Sequence, residues 1–339
     1  MKNNSIYVIA EAGVNHNGDL ECAMKMIKHA KQAGADCIKF QAFSLNNLLS
    51  KNASSADYQK TNTGLDSQWE VLNNLFFDKN AIKKLYDTCL AEKIEFLCTA
   101  FDEKWLKFLI SLGMHKIKIP SGEITNYPYL RYAAKQNLPI ILSTGMSNLR
   151  EITNALNVIK EISNEIEVSI LHCTSLYPAP METLNLLALE TIKKEFDLRL
   201  GYSDHSMGEI ASLTAIGLGA RIIEKHFTMN KEYPGPDHKA SLTPKELSSF
   251  ISNIRKIEKG LGSNKKEASK KELATLKAAR RSWHTAKDIK KGTILGVKDL
   301  ILLRPGNGIL GDTNIIGLEV IKDIKKGKMI ENKWLKKIK

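Results

Sequence analysis

Short β-branched or apolar runs, each followed by a stretch with helical spacing, recur eight times before residue 261. This strict alternation constrains the fold more than any other feature of the chain. The runs are Ile6–Glu11, Cys37–Gln41, Phe96–Thr99, Lys116–Ile119, Ile140–Ser143, Val168–Cys173, Leu198–Gly201 and Ile222–His226. The stretches between them carry apolar residues three and four apart, as at Ala23, Met26, Ile27 and Ala30, so each has one face to lay on a sheet. Gly34 and Ala35 suit the tight return from helix to strand. Such alternation builds either an open doubly wound sheet or a closed (β/α)8 barrel, and eight units over about 245 residues favour closure.

The texture changes after Leu261. Gly262, Ser263 and Asn264 open a lysine- and alanine-rich stretch to Arg281 that predicts a helical linker over 262–281. A second domain is expected over 282–339. It has strand-like runs at Trp283–Ala286 and Leu300–Leu303, a Pro305-Gly306-Asn307-Gly308 turn, and two similar phrases, 286–292 and 321–327, each ending Lys-Asp-Ile-Lys-Lys-Gly. These phrases indicate internal pseudo-symmetry in a small, turn-rich β module. The fold class expected is therefore α/β, a barrel over 1–261 followed by a linker and a small β domain. A length of 339 residues has room for both.

No apolar run approaches the roughly 18 residues that span a bilayer, and Met1–Glu11 does not read as a leader, so a cytoplasmic protein with no membrane partner is expected. The five cysteines are odd in number, scattered and without a CxxC pair, as for buried thiols. A formal charge of +13 suits nucleic acid, an acidic surface or an anionic small substrate. Much of it lies in solvated lysines such as Lys265, Lys266, Lys270, Lys271, Lys336, Lys337 and Lys339, and no aromatic–basic interleaving supports nucleic acid.

In a barrel, chemistry gathers where strands end and loops begin. Those positions carry Glu11, Lys39 with Gln41, Thr99, Lys118 with Ser121 and Glu123, Ser143, His172, Asp204 with His205, and His226. Lys39 and Lys118 sit in apolar strands, where an unpaired ammonium costs several kcal/mol. An anionic substrate would compensate them, with the hydroxyls of Thr99, Ser121, Ser143 and Ser203 completing a cradle; the plainer alternative is a salt bridge to a barrel glutamate. His205 and His226, from adjacent strands, could converge on a divalent ion or simply be satisfied hydrogen-bonding residues, with His172 as a further candidate. Glu11 and Glu123 are the carboxylates placed for acid–base work, and Asp204 for orienting His205. Asp237, after Pro234-Gly235-Pro236, either faces the mouth or caps its turn.

Taken together these segments resemble the sialic acid synthases, the N-acetylneuraminate and legionaminate synthase group with an appended antifreeze-like domain of β-clip type. The resemblance runs through Ala10–Gly18, Ile38–Gln41, Lys118–Glu123, Ile141–Met146, Leu171–Thr174 with Tyr177-Pro178, Gly201–His205, Glu224–Thr228, Gly235–Asp237 and Arg304–Gly308. It implies that Lys39, Thr99, Lys118, Ser121, Ser143 and Ser203 bind phosphoenolpyruvate, and that His205 and His226 hold a divalent metal, Mn²⁺ before Mg²⁺ or Co²⁺. It also implies that Glu11, Asn62, Glu123, Tyr177 and Asp237 face an amino sugar, and that Arg304 reaches it from the antifreeze-like domain in a domain-swapped homodimer. The family departs at Ser175, where some members have Asn, and near Arg280, where some have phenylalanine. The implied reaction joins phosphoenolpyruvate to N-acetylmannosamine or 2,4-diacetamido-2,4,6-trideoxymannose, with Ile124–Asn126 and Asp237–Ser241 closer to legionaminate synthases. A Schiff-base aldolase using Lys39 or Lys118 and a non-catalytic glycan-binding protein are the rival readings.

Overall fold

A computed structural model describes residues 5–337; Lys339 and the first four residues of the Met1–Glu11 stretch lie outside the described residues. The chain divides into two compact units, Met1–Gly262 and Ser263–Lys339.

The first unit is built on eight parallel strands: β1 (Tyr7–Gly13), β2 (Cys37–Ala42), β3 (Glu95–Ala100), β4 (Ile117–Ile119), β5 (Ile140–Ser143), β6 (Val168–Cys173), β7 (Arg199–Asp204) and β8 (Ile222–His226). Their order is β3-β2-β1-β8-β7-β6-β5-β4, a nearly closed barrel in which β1 pairs with β8 and only the β3–β4 neighbours lack a hydrogen-bonded ladder. Side chains stitch that seam instead. Lys116 Nζ lies 2.6 Å from Glu95 Oε1 at the strand starts, and the Tyr129 hydroxyl donates to the Ala100 carbonyl at 2.6 Å at the far end.

Local chemistry delimits the helices between the strands. Asp19 caps the helix Leu20–Ala33 by accepting from the Glu21 and Cys22 amides, and Gly34, at φ 88°, ends it in the left-handed region. Ala23, Met26, Ile27 and Ala30 are its buried face, as their spacing predicts. Thr243 and Glu246 form a capping box at the start of Pro244–Leu261, the helix that completes the outer layer. One connection is longer than its neighbours. Between β2 and the helix Lys79–Glu92 lie three short helices, Leu45–Leu48, Asp57–Thr63 and Gln68–Asn73. The first and third of these pack with Val14, Phe43, Val71 and Leu75 in a cluster separate from the barrel core.

The second unit contains the helix Glu272–Ala279 and two antiparallel pairs, Ser282–Thr285 with Leu300–Leu303 and Glu319–Val320 with Leu335–Lys336. Its core is aliphatic: Ile289, Leu295, Leu300, Ile309, Ile315, Val320, Ile324 and Ile330. The two similar phrases pair reciprocally. Ile289 and Ile324 exchange backbone hydrogen bonds at 2.8 Å each, Lys290 meets Asp323 at 2.8 Å, and Lys325 meets Asp288 at 2.8 Å. The linker differs from expectation, since Gly262 at φ 57° ends the preceding helix and only eight residues, Glu272–Ala279, become helical again. At 1.5 Å per residue that is a helix of about 12 Å, where twenty helical residues over 262–281 would have run to about 30 Å. Among the described residues no helix is long and apolar enough to cross a membrane.

Candidate active site

The strand ends of the barrel enclose a cavity of about 650 Å³, within the size range of small-molecule sites. Most barrel residues expected to carry chemistry line it, namely Glu11, Lys39, Thr99, Lys118, Ser121, Glu123, Ser143, Tyr177, Ser203, His205, His226 and Asp237, whereas Asn62, His172 and Asp204 do not. Arg304 belongs to the second unit.

The floor is a buried charge network. Lys39 Nζ lies 2.8 Å from Glu11 Oε2, 3.2 Å from Thr99 Oγ1 and 3.6 Å from Glu224 Oε1. Lys118 Nζ donates to Ser143 Oγ at 2.7 Å and lies 3.7 Å from the same Glu224 oxygen, which also accepts from Ser203 Oγ at 3.2 Å. The plainer alternative of the sequence reading, a salt bridge to a barrel glutamate, therefore holds for both lysines. Glu11 and Glu224 compensate them, and an incoming anion would exchange with those carboxylates for the same ammonium groups.

The four charges set one another's protonation. Burial raises the Glu11 carboxyl to about 7, against the pull of Lys39 and with the repulsion of Glu224 added. Glu224 goes the other way: burial opposes its charge, but Lys118 and Lys39 outweigh that and hold it below the usual carboxylate range. Burial likewise works against the Lys39 ammonium, which Glu11 and Glu224 hold above its ordinary range, while Lys118 is lowered, burial exceeding the help of Glu224.

Glu224 escaped the sequence reading of the site, although a period-2 argument finds it. Two residues before His226 on one strand, it must point to the same side. The same rule corrects Asp204, expected to orient His205. As the next residue in the chain it faces away, and its carboxylate accepts from the Ser206 amide and hydroxyl at 2.8 and 2.7 Å and from Ser212 Oγ at 2.6 Å, and meets Lys225 Nζ at 3.0 Å. Asp204 and Lys225 are register partners across β7 and β8, one step from Ser203 and Glu224. His205 is instead oriented by the Thr174 carbonyl, 2.6 Å from its Nδ1.

That contact assigns the proton to Nδ1 and makes Nε2 the acceptor nitrogen, which meets Ser203 Oγ at 3.4 Å and Cys173 Sγ at 3.9 Å. The His205 and His226 rings have centroids 5.4 Å apart at 70°. Two imidazoles sharing one ion at about 2.1 Å from each nitrogen would have centroids roughly 5 Å apart. His226 Nδ1 is buried without a hydrogen-bond partner among the described residues, and its nearest carboxylate oxygen, Asp237 Oδ2, is 3.9 Å away. Burial keeps the His226 ring neutral, well below its usual pKa, as a metal ligand must be, and burial raises Asp237 to about 6. The donor set fits a divalent ion, although the described residues do not supply a cluster of three such ligands. His205 also meets Cys173 Sγ at 3.7 Å and stacks on Tyr177 at 4.0 Å between centroids. His172 is not part of this lining, and its Nε2 pairs with the Leu184 carbonyl at 2.8 Å.

Two further features shape the mouth. Ser121 Oγ accepts from the Gly145 amide at 2.9 Å; a Cβ at Gly145 would lie 2.9 Å from that oxygen and closer still to Ser175 Oγ, so a larger residue would push both hydroxyls out of place. Asn62 spends its amide nitrogen on two loops, donating to the Tyr177 carbonyl at 3.1 Å and the Pro236 carbonyl at 2.7 Å. It thereby ties together the segments that carry Tyr177 and Asp237. Glu123 accepts from Asn126 at 2.6 Å at the half-buried rim.

Fold and site define a (β/α)8 enzyme whose mouth sets two buried lysines beside paired imidazoles, followed by a small β domain. The chain belongs to the NeuB family, whose pattern matches residues 26–266, and a SAF domain matches residues 280–335. It is 44% identical over 327 residues to the N,N'-diacetyllegionaminic acid synthase of Legionella pneumophila, covering 95% of this chain and 92% of that protein. It is 48% identical over 304 residues to the Campylobacter jejuni protein of the same name, covering 89% and 91%. Among solved structures, the N-acetylneuraminic acid synthetase of Leptospira borgpetersenii in complex with citrate superposes with a TM-score of 0.73 at 35% identity, covering 81% of this chain and 91% of that one.

Proposed function

We propose that the protein condenses phosphoenolpyruvate with 2,4-diacetamido-2,4,6-trideoxymannose and water, giving N,N'-diacetyllegionaminic acid and phosphate. N-acetylmannosamine, giving N-acetylneuraminate, is the alternative sugar. The observation that carries this reading is a single cavity joining the Lys39–Lys118 floor to the His205–His226 pair, in a chain 44% and 48% identical to two proteins of that name.

Lys39, Lys118, Thr99, Ser143 and Ser203 would bind the phosphate and carboxylate of phosphoenolpyruvate, with Ser121 and the Gly145 amide closing the cradle. C3 of the enol bonds to the aldehyde carbon of the open-chain sugar, and positive charge develops at C2. The aldehyde oxygen takes up a proton as its C=O π bond opens, and water adding at C2 gives one back through Glu11 or Glu123; the hydroxyl formed at C2 then loses its proton to a phosphate oxygen as the C2–O bond breaks, releasing phosphate and leaving the keto acid. Tyr177, Asp237 and Glu11 grip the sugar, and Asn62 holds the loops that carry the first two. His205 and His226 would hold Mn²⁺, or Mg²⁺ or Co²⁺ in its place, and when bound such an ion supplies Lewis acidity at a carbonyl oxygen. Arg304 would complete the sugar site of a second copy in a domain-swapped homodimer of this cytoplasmic enzyme. A Schiff base at Lys39 is disfavoured because Glu11 and Glu224 keep its amine protonated.

Phosphate release from phosphoenolpyruvate, measured with each sugar and with and without Mn²⁺, tests the reading; turnover of neither sugar would refute it. Co-expressed Glu11→Ala and Arg304→Ala chains should recover roughly a quarter of wild-type activity if Arg304 serves a partner's barrel. Recovery no greater than the sum of the separate variants, in a sample containing the mixed dimer, refutes the swap.

A further inference from the structure

The cavity has two sides of opposite chemistry. The floor is charged and hydroxyl-rich, whereas the side formed by the loops after β1, β2 and β3 presents Val14, Phe43, Leu48, Leu49, Leu72 and Phe101. Val14 and Phe43 are buried, and Leu48, Leu72 and Phe101 pack half-buried against their cluster, which is separate from the core that closes the barrel. Leu49 is also half-buried. Much of this wall therefore comes from the three-helix insertion after β2, not from the barrel itself. Gln68, at the start of the helix Gln68–Asn73, also lines the cavity, and its side chain makes no hydrogen bond to a described residue.

We infer that this wall reads the C4–C6 end of the sugar, selecting a C6 methyl over a hydroxymethyl, with Gln68 serving a C4 acetamido group. The inference rests on the reaction proposed above and specifies its substrate. The aldehyde carbon must lie within bonding reach of phosphoenolpyruvate, beside the lysine floor and the imidazoles. From there Glu11 and Gln41, joined at 3.2 Å, continue the polar surface toward the loops after β1 and β2, and the remote end of the sugar follows it to the apolar side. A methyl group there gains contact with leucine and phenylalanine side chains, whereas a hydroxymethyl leaves water without a replacement partner. An acetamido group needs one donor and one acceptor, and a free glutamine amide offers both.

The decisive measurement is kcat/KM for three sugars with the unmodified protein: N-acetylmannosamine, its 6-deoxy analogue, and 2,4-diacetamido-2,4,6-trideoxymannose. The 6-deoxy analogue should exceed N-acetylmannosamine by about tenfold or more, the range set by one apolar group in an apolar pocket. The diacetamido sugar should exceed the 6-deoxy analogue in turn. Leu48→Asn and Leu72→Asn, both at half-buried positions, should shrink the methyl preference at least about fivefold while leaving the KM for phosphoenolpyruvate unchanged. Gln68→Ala should shrink only the acetamido preference. Turnover of none of the three sugars overturns the reaction itself and this inference with it. Turnover without a preference for the 6-deoxy analogue, or a preference unmoved in folded variants, overturns the wall alone and leaves the reaction standing.

Discussion

Lysine–carboxylate pairs of equal length occur in both units and do different work. Lys39–Glu11 and Lys290–Asp323 are both 2.8 Å long, yet the first is buried on both sides and the second keeps its lysine side chain 84% exposed. At the barrel mouth neither charge has water to fall back on, so each holds the other's protonation state. In the second unit the same contact is screened, and the reciprocal Lys325–Asp288 pair repeats it across the pseudo-symmetric turns. Distance alone does not rank these interactions; burial does.

The comparison is broken most readily at Glu224. Among the described residues Glu224 is the one carboxylate within ion-pair distance of Lys118, so Glu224→Gln leaves a buried ammonium uncompensated. The variant should lose about 3–5 kcal/mol in denaturant titration and turn over at least about a hundredfold more slowly. Wild-type stability together with wild-type turnover would mean that the network is ornamental. Lys118→Ala comes next, raising the KM for phosphoenolpyruvate by an amount equivalent to about 2–5 kcal/mol and that for the sugar far less. Equal effects on both substrates would remove Lys118 from the anion cradle. His226→Ala should abolish Mn²⁺ binding measured by titration calorimetry while preserving the thermal midpoint, because its ring faces the cavity; undiminished binding would exclude it as a ligand.

A smaller, graded effect follows from pH. Glu11 and Asp237 are carboxyls raised to about 7 and about 6, hence neutral in acid and charged above those values. If both act as carboxylates, kcat/KM rises with pH across that interval, and Glu11→Gln removes the upper part of the rise. A profile flat from pH 5 to 8 would contradict this assignment. The smallest effect belongs to the second unit. Asp288 and Asp323 have folded-state values lowered by hydrogen bonds from Lys325 and Lys290 respectively, so their contribution to stability is present above the ordinary Asp value of about 3.8 and fades as pH falls through the folded one. Asp288→Asn should change the thermal midpoint less than any substitution above, and salt should erase the difference. A loss as large as that of Glu224→Gln would remove the distinction between the two pairs.

The barrel was legible because hydrophobic runs and their spacing encode it directly. Six of the eight strands end within a residue of expectation, but β1 runs two residues further, to Gly13, and β7 continues through Tyr202, Ser203 and Asp204, where polarity hides a strand whose backbone still pairs with β8. The insertion after β2 was not foreseen, because its helices have only four, seven and six residues and too few turns to display a period. Within the site, the cations, hydroxyls and imidazoles were found as polar residues at strand ends. Their partners were harder to find: Glu224 is separated from Lys39 by nearly two hundred residues in sequence and from Lys118 by more than a hundred, and only closure of β8 onto β1 brings it beside the former. Asn62 shows the converse. A role facing the sugar was expected of it, and its nitrogen is committed to two backbone carbonyls.

The barrel is a hoop with one riveted joint. Seven of its junctions are laced by backbone ladders, and the eighth, between β3 and β4, is held by Lys116–Glu95 near one rim and Tyr129–Ala100 near the other. Thr99 and Lys118 stand on opposite banks of that joint. The spacing of Thr99 and Lys118 is therefore measured across the one junction whose width side chains determine, and Glu224, reaching both Lys39 on β2 and Lys118 on β4, is the tie-rod that sets it from inside.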